Sequence, residues 1–192
     1  MRDLIYYVAA TVDGFIAHPD GSFDGFPWNE EYGSDLSALF PETVPAHLRP
    51  ADYVHPGNAW FDAVLMGRNT YEVGLKDGFS NPYPTMQQYV FSHTMQRSPD
   101  PNVTLVRNNT VEVVRDLKQG SGKAIWLCGG AALAATLFTA NLIDQLIVKL
   151  NPVLFGSGIP LFAPVGKQTA LALTEHKRYR SGHMVLFYRI NY

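Results

Sequence analysis

The chain has 192 residues, with 15 Lys+Arg against 17 Asp+Glu, 46% hydrophobic residues, 12% aromatics and one cysteine. That length fits one domain able to bury roughly 70% of its unfolded surface, and the aromatic content excludes a disordered polymer. A net charge of −2 leaves no electrostatic footprint for nucleic acid or an anionic membrane, and a single cysteine excludes an internal disulfide or a Cys-rich zinc site, so a reducing, cytoplasmic setting is the default.

Residues 3–10 read as a buried strand. Asp3 interrupts any positive start, and the apolar run is too short for a signal peptide. A long glycine-bearing loop follows, from Thr11 through two Asp-Gly turns to Pro27-Trp28; loops of that length are usually functional. Residues 34–40 suggest a short helix with Leu36, Leu39 and Phe40 as its apolar stripe and Asp35 beside them. Residues 41–58 carry Pro41, Pro45, Pro50 and Pro56, which predicts a meander around a short helix. Residues 63–67 read as a central strand ending in glycine. Asn69 then opens a helix, with Glu72 completing an Asn version of the capping box.

Short strands follow at 89–92 and 103–106, then a helix at 110–118 with Val111, Val114 and Leu117 at helical spacing. Residues 124–143 carry no charge and are long enough to span a bilayer. Gly129-Gly130 in the middle, with Thr136, Thr139 and Asn141 after it, favours a strand, a glycine turn and a helix at 131–138. A strand at 146–150 leads to two strands, 170–179 and 183–191, around Ser181-Gly182. Strands alternate with helices to residue 150 and a hairpin closes the chain. This pattern is an α/β sheet, mostly parallel, with an antiparallel edge, in a single domain over 1–192.

Few segments carry chemistry. At Gly67-Arg68-Asn69-Thr70 a strand ends and a helix begins, so free N–H groups and the Arg68 fork suit a phosphate; a capped helix with a solvated arginine fits the same residues. Gly129-Gly130 lets a backbone approach a pyrophosphate closely, or makes a tight turn; it is neither a Gly-x-Gly-x-x-Gly nor a Walker motif. Asp35 is either a helix-surface aspartate or a proton donor raised by burial. The histidines at 18, 47, 55, 93, 176 and 183 show no metal spacing, and no nucleophile elbow is present. The basic run from His176 to Arg180 reads as a solvated turn, and Cys128 as an inert core thiol.

Taken in order, the segments Val12 to Ala17 with Trp28, Leu65 to Glu72, Tyr89 to Ser92, Trp126 to Leu133, Asn141 to Asp144 and Pro152 to Gly156 resemble the dihydrofolate reductase-like superfamily. Within it the match is closer to the RibD C-terminal domain family. The resemblance implies a three-layer α/β/α fold, NADPH as cofactor, a homodimer, and hydride transfer to a small heterocyclic or carbonyl substrate. A pterin or a riboflavin-pathway 5-amino-6-(5-phosphoribosylamino)uracil-like compound is in range.

Carried over by position, Ala10 and Ile16 would line the nicotinamide. Gly67, Arg68, Asn69 and Thr70 would hold the adenosine-side phosphates. Ser92, His93 and Arg107 would lie at the ribose end, and Gly129, Gly130, Ala131, Ala132 and Leu133 at the pyrophosphate. Asp35 would be the proton donor, and Lys149 would stabilise charge on the substrate. The loop at 13–28 would close over the nicotinamide. The chain departs from true dihydrofolate reductases at Pro84 to Gln88, which lacks the arginine that grips the folate glutamate. Its spacing from Trp28 to Asp35 is longer than usual. The alternative is an NADP-binding protein of this fold without efficient reductase chemistry.

Overall fold

The computed structural model describes residues 1–192. In chain order the first elements are β1 (Leu4–Thr11), β2 (Phe15–Ala17), α1 (Glu30–Leu39), β3 (Phe61–Gly67), α2 (Arg68–Lys76) and β4 (Gln87–Phe91). They are followed by β5 (Val103–Val106), α3 (Thr110–Gln119), β6 (Ala124–Gly129), α4 (Ala131–Thr139), β7 (Gln145–Asn151), β8 (Ile159–Pro160), β9 (Ala170–Arg178) and β10 (Met184–Asn191). Eight strands form one sheet in the order β5-β4-β3-β6-β1-β7-β10-β9. The pairs from β5 to β7 are parallel, and β10 joins β7 and β9 antiparallel, as the pattern of elements predicts.

Alternation along the buried strands divides their side chains between two faces. Tyr6, Val8 and Ala10 of β1 pack with Leu65, Leu127, Leu137 and Val148 under α3 and α4. Ile5 and Tyr7 pack with Val64, Met66, Trp126, Ile147, Val185 and Phe187 on the opposite face, where Tyr32 and Phe40 belong to α1 and its end and Tyr71 to α2. The result is three layers, α/β/α. No helix is long and apolar enough to cross a membrane; the uncharged stretch at 124–143 is β6, a glycine pair and α4.

Several boundaries differ from the sequence expectation, each for a local reason. Helix α1 begins at Glu30 rather than at 34, because the Asn29 side chain accepts from Tyr32 N–H at 3.1 Å and caps it there. Helix α2 begins at Arg68, with Gly67 as N-cap, so Asn69 and Glu72 form no capping box. Glu72 pairs with Arg68 instead. The proline-rich stretch makes short 3-10 turns at Pro41–Thr43 and Ala46–Leu48. Within the long loop, β2 pairs with β8 in a small second sheet.

One buried carboxyl ties the proline-rich stretch to the sheet. Glu42, fully buried, accepts from the N–H groups of Ala59 at 3.0 Å, Trp60 at 2.6 Å and Phe61 at 2.6 Å, at the start of β3. Removing it leaves buried amide donors without acceptors. Glu42→Ala is expected to cost about 3 kcal/mol, read as a lower urea midpoint at unchanged m-value.

Candidate functional site

The parallel strands β3 and β6 are neighbours, and both end in glycine. A Cβ added at Gly67 would lie 3.3 Å from Gly130 N and 3.6 Å from Gly129 O, and one added at either Gly129 or Gly130 would lie 3.6 Å from Thr70 Oγ1. Gly129 and Gly130 are joined by a cis peptide bond, and Gly129 has φ +139°. Helices α2 and α4 start at this point with Gly67 and Gly130 as N-caps, neither offering a side-chain cap. Their first-turn N–H groups, at 68–70 and 131–133, therefore lack intrahelical acceptors where the two strand ends meet, with the Thr70 hydroxyl beside the glycine pair. Two helix dipoles with bare N–H groups suit an anionic, phosphate-bearing ligand.

The residues around the cradle take distinct positions. Arg68 Nε donates to Glu72 Oε1 at 2.5 Å and its Nη1 to Thr94 Oγ1 at 2.6 Å, which leaves part of the guanidinium fork free at the surface. Ser92 is buried, and its hydroxyl accepts from Met95 N–H at 3.0 Å, shaping the turn after β4. His93 and Arg107 are exposed at that same strand end. Leu133 and Ala10 belong to the core under α4, so their side chains face away from the other sheet face. Ala132 is exposed and Ile16 half-buried. It is Ala9, half-buried and in register with Lys149, that faces the opposite side, and the alternation in β1 could have indicated it.

Lys177, Val185, Lys149 and Ala9 form one row across β9, β10, β7 and β1. Lys149 Nζ sits 4.3 Å from the centroid of the Tyr7 ring, a cation–π contact, and has no hydrogen bond or ion pair. Burial pulls its ammonium down to about 8 from the ordinary 10.5, and Cys128 opposes this weakly. Burial pushes the Cys128 thiol up to about 11, consistent with an inert thiol.

Asp35 lies at the other end of the row. Lys177 Nζ donates to its oxygens at 2.9 and 3.1 Å, and the Tyr179 hydroxyl donates to Oδ2. The Tyr179 hydroxyl first, then Lys177, hold the Asp35 carboxyl below its ordinary value. Lys177 and Tyr179 fall in the run that reads from sequence as a solvated turn. Their spacing of two along a strand was the available signal. Below the hairpin turn, His183 is buried, shares a hydrogen bond with Ser181 Oγ at 2.8 Å, and reaches Pro27 O from Nε2 at 3.0 Å. The base of the long loop is held by Asp13, which accepts from Thr11 Oγ1 at 2.5 Å, Gly156 N–H at 2.7 Å and Phe155 N–H at 3.2 Å.

The RibD C-terminal domain model matches residues 2–185, nearly the whole chain. The chain belongs to that family. It is similar to Bacillus subtilis (strain 168) YwjB, described as an uncharacterized protein, at 32% identity over 178 residues, 93% of this chain and 92% of that one. It shares its fold with a Thermotoga maritima diaminohydroxyphosphoribosylaminopyrimidine deaminase/5-amino-6-(5-phosphoribosylamino)uracil reductase (TM-score 0.65, 15% identity, 99% of this chain and 57% of that one). It shares it also with Enterococcus faecalis dihydrofolate reductase, solved with NADP(H) (TM-score 0.61, 17% identity, 98% of this chain and 96% of that one).

The charge on Lys149 has a sign that stability can report. The folded state holds that proton less tightly than the unfolded chain, so the charged form is a cost below pH 8, relieved as pH rises from about 8 to 10.5. Lys149→Met is expected to raise the melting temperature at pH 7, and the gain should shrink through that window. A gain independent of pH would assign the effect to packing.

Proposed function

We propose that this chain is an NADPH-dependent reductase that transfers a hydride to a C=N or C=O carbon of a small heterocyclic or carbonyl substrate. The observation that carries the reading is the glycine cradle, where two uncapped helix starts lie side by side and a Cβ at Gly67 would crowd the Gly130 backbone. Membership of the RibD C-terminal family supports a reductase, and a pterin or a riboflavin-pathway aminopyrimidine is the substrate range that follows from it.

The residues present fit a phosphate-rich dinucleotide. The N–H groups at 131–133 and the backbone of Gly129 and Gly130 would hold its pyrophosphate. Arg68, with Asn69 and Thr70, would hold the adenosine-side phosphate, and the exposed Arg107 would add positive charge at that end, with His93 beside it as a hydrogen-bonding ring. When bound, the dinucleotide supplies the hydride. Lys149 supplies the counter-charge: its unpartnered ammonium would donate to the substrate's oxygen or nitrogen, and a value near 8 suits proton donation at neutral pH. Asp35 would be an anchor in place of the proton donor, because Tyr179 and Lys177 already hold it as a carboxylate. The loop at 13–28, fixed at its ends by Asp13 and by the His183–Pro27 contact, would exclude water. The exposed edge strand β9, with Leu171 and Leu173 open to solvent, is where a second copy would pair to make a homodimer.

The locked Asp35 also favours a second reading, nucleotide binding without efficient turnover. Thermal melting with NADPH and with NADH tests the cofactor site. At 100-fold over the dissociation constant NADPH should add about 2.7 kcal/mol, and Arg68→Ala should remove its advantage over NADH. Oxidation of NADPH by a pterin or aminopyrimidine, lost in Lys149→Met, separates the reductase from a binding protein. No shift with either nucleotide would overturn both readings.

A further inference from the structure

A cavity lies apart from the glycine cradle, at the opposite end of the sheet. Its volume is about 330 Å³, within the range of small-molecule sites. Helix α4 starts at the cradle, and Phe138 in its last turn lines the cavity, so the two places are about 10 Å apart along the helix axis. Leu146 at the start of β7, Ile190 near the end of β10 and Leu171 near the start of β9 form the sheet side of the wall. Phe162 and Val165, from the connection between β8 and β9, close it against α4, with the Phe162 and Phe138 ring centroids 5.2 Å apart.

The polar groups on this apolar wall are few, and their bonding is incomplete. Thr169 lines the cavity, and its hydroxyl is buried with no hydrogen-bond partner. Lys167, also on the lining, donates to Asn141 Oδ1 and lies 5.3 Å from the centroid of the Phe138 ring and 4.3 Å from that of Tyr192. It makes no ion pair. An ammonium carries three donors, and the protein supplies one acceptor. A buried hydroxyl without a partner carries a desolvation cost that an incoming acceptor would recover. The lining contains no acidic residue. An apolar chamber with a cation and a free hydroxyl is complementary to a ligand with an apolar body and one anionic head.

The segment that bears these groups, 159–169, is bonded to both functional parts described above. Leu161 N–H donates to Gly14 O at 2.9 Å, and β8 pairs with β2, which joins the segment to the long loop. Ala163 N–H donates to Ala131 O at 3.2 Å, at the first residue of α4. Between these points Leu161 O accepts from the Tyr6 hydroxyl at 2.8 Å, which fixes the segment to β1. One short run of chain therefore touches the loop, the cradle and the cavity.

We propose that this cavity is an effector site for an apolar monocarboxylate. Its carboxylate pairs with Lys167 and accepts from the Thr169 hydroxyl, and its body fills the chamber between α4 and the sheet. Occupancy stiffens the 159–169 segment, and with it the loop and the start of α4. The site stands independently of the reductase reading; the effect on NADPH rests on it.

Octanoate is the probe, with octanamide as its uncharged analogue and acetate as the head without the body. Calorimetric titration of the full chain should give a single octanoate site, with octanamide and acetate weaker by about tenfold or more. Lys167→Met should weaken octanoate about tenfold and leave octanamide unchanged, and Lys167→Arg should retain octanoate. Thr169→Val, which replaces the hydroxyl by a methyl, should weaken octanoate by a smaller factor. With octanoate, amide hydrogen exchange should slow at 15–17, at 161–163 and at Ala134, whose N–H makes the first backbone bond of α4. NADPH affinity should rise about fivefold. Both effects should vanish in Lys167→Met. Octanoate bound no better than octanamide, bound equally well by Lys167→Met, or bound only as sedimentation shows a dimer dissociating would overturn the site. Binding that leaves exchange at these amides unchanged would overturn the effector role. Octanoate binding with slowed exchange in a chain that fails to bind NADPH would uphold the proposal and overturn the reductase reading.

Discussion

The structure depends on the close approach of two strand ends. At the C-terminal ends of β3 and β6 the backbone of Gly67 faces that of Gly129 and Gly130 so nearly that one methyl group at Gly67 would reach Gly130 N at 3.3 Å. Because those strands are adjacent and parallel, the helices that follow them start side by side. Their unpaired N–H groups and dipoles then add at one place. A cap side chain on either helix would satisfy those groups internally, and neither helix has one.

Around that point the fold distributes charge unequally. Asp35 is surrounded by donors, and the Lys149 ammonium has no acceptor, only the face of the Tyr7 ring. Both face the same side of the sheet: Asp35 reaches from α1 to Lys177, and Lys149 lies two strands further along the same row of register partners. The desolvated, unpaired group is the one that gains most from a ligand carrying the complementary atom. The paired group holds α1 against β9, and with the His183–Pro27 contact it sets where the long loop enters the helix. The anchoring of α1 to β9 follows from the helix lying along the strands.

Much of this was legible before any coordinates. The short apolar runs at 63–67 and 124–128, each followed by glycine and a helical pattern, indicated the parallel sheet and the cradle. Buried parallel strands are near-continuous in apolar residues, and their ends need glycine where a backbone comes close. The start of α1 was misplaced because its amphipathic stripe begins later than its cap. The partners of Asp35 were not legible, because Lys177 and Tyr179 lie more than 140 residues away and reach it only through the β9–β10 hairpin.

By itself, then, the sequence determined the fold class, the order of strands and helices and the glycine positions, because periodicity and backbone freedom are local properties. Only the tertiary structure decided which face each β1 residue presents, that Ala9 and not Ala10 shares the face of Lys149, that Asp35 is a carboxylate already paired with Lys177, and that Trp28 is seated on Gly33. Each of these depends on strand register and on contacts between distant segments. A shift of one residue in register would turn every side chain of a strand to the other face.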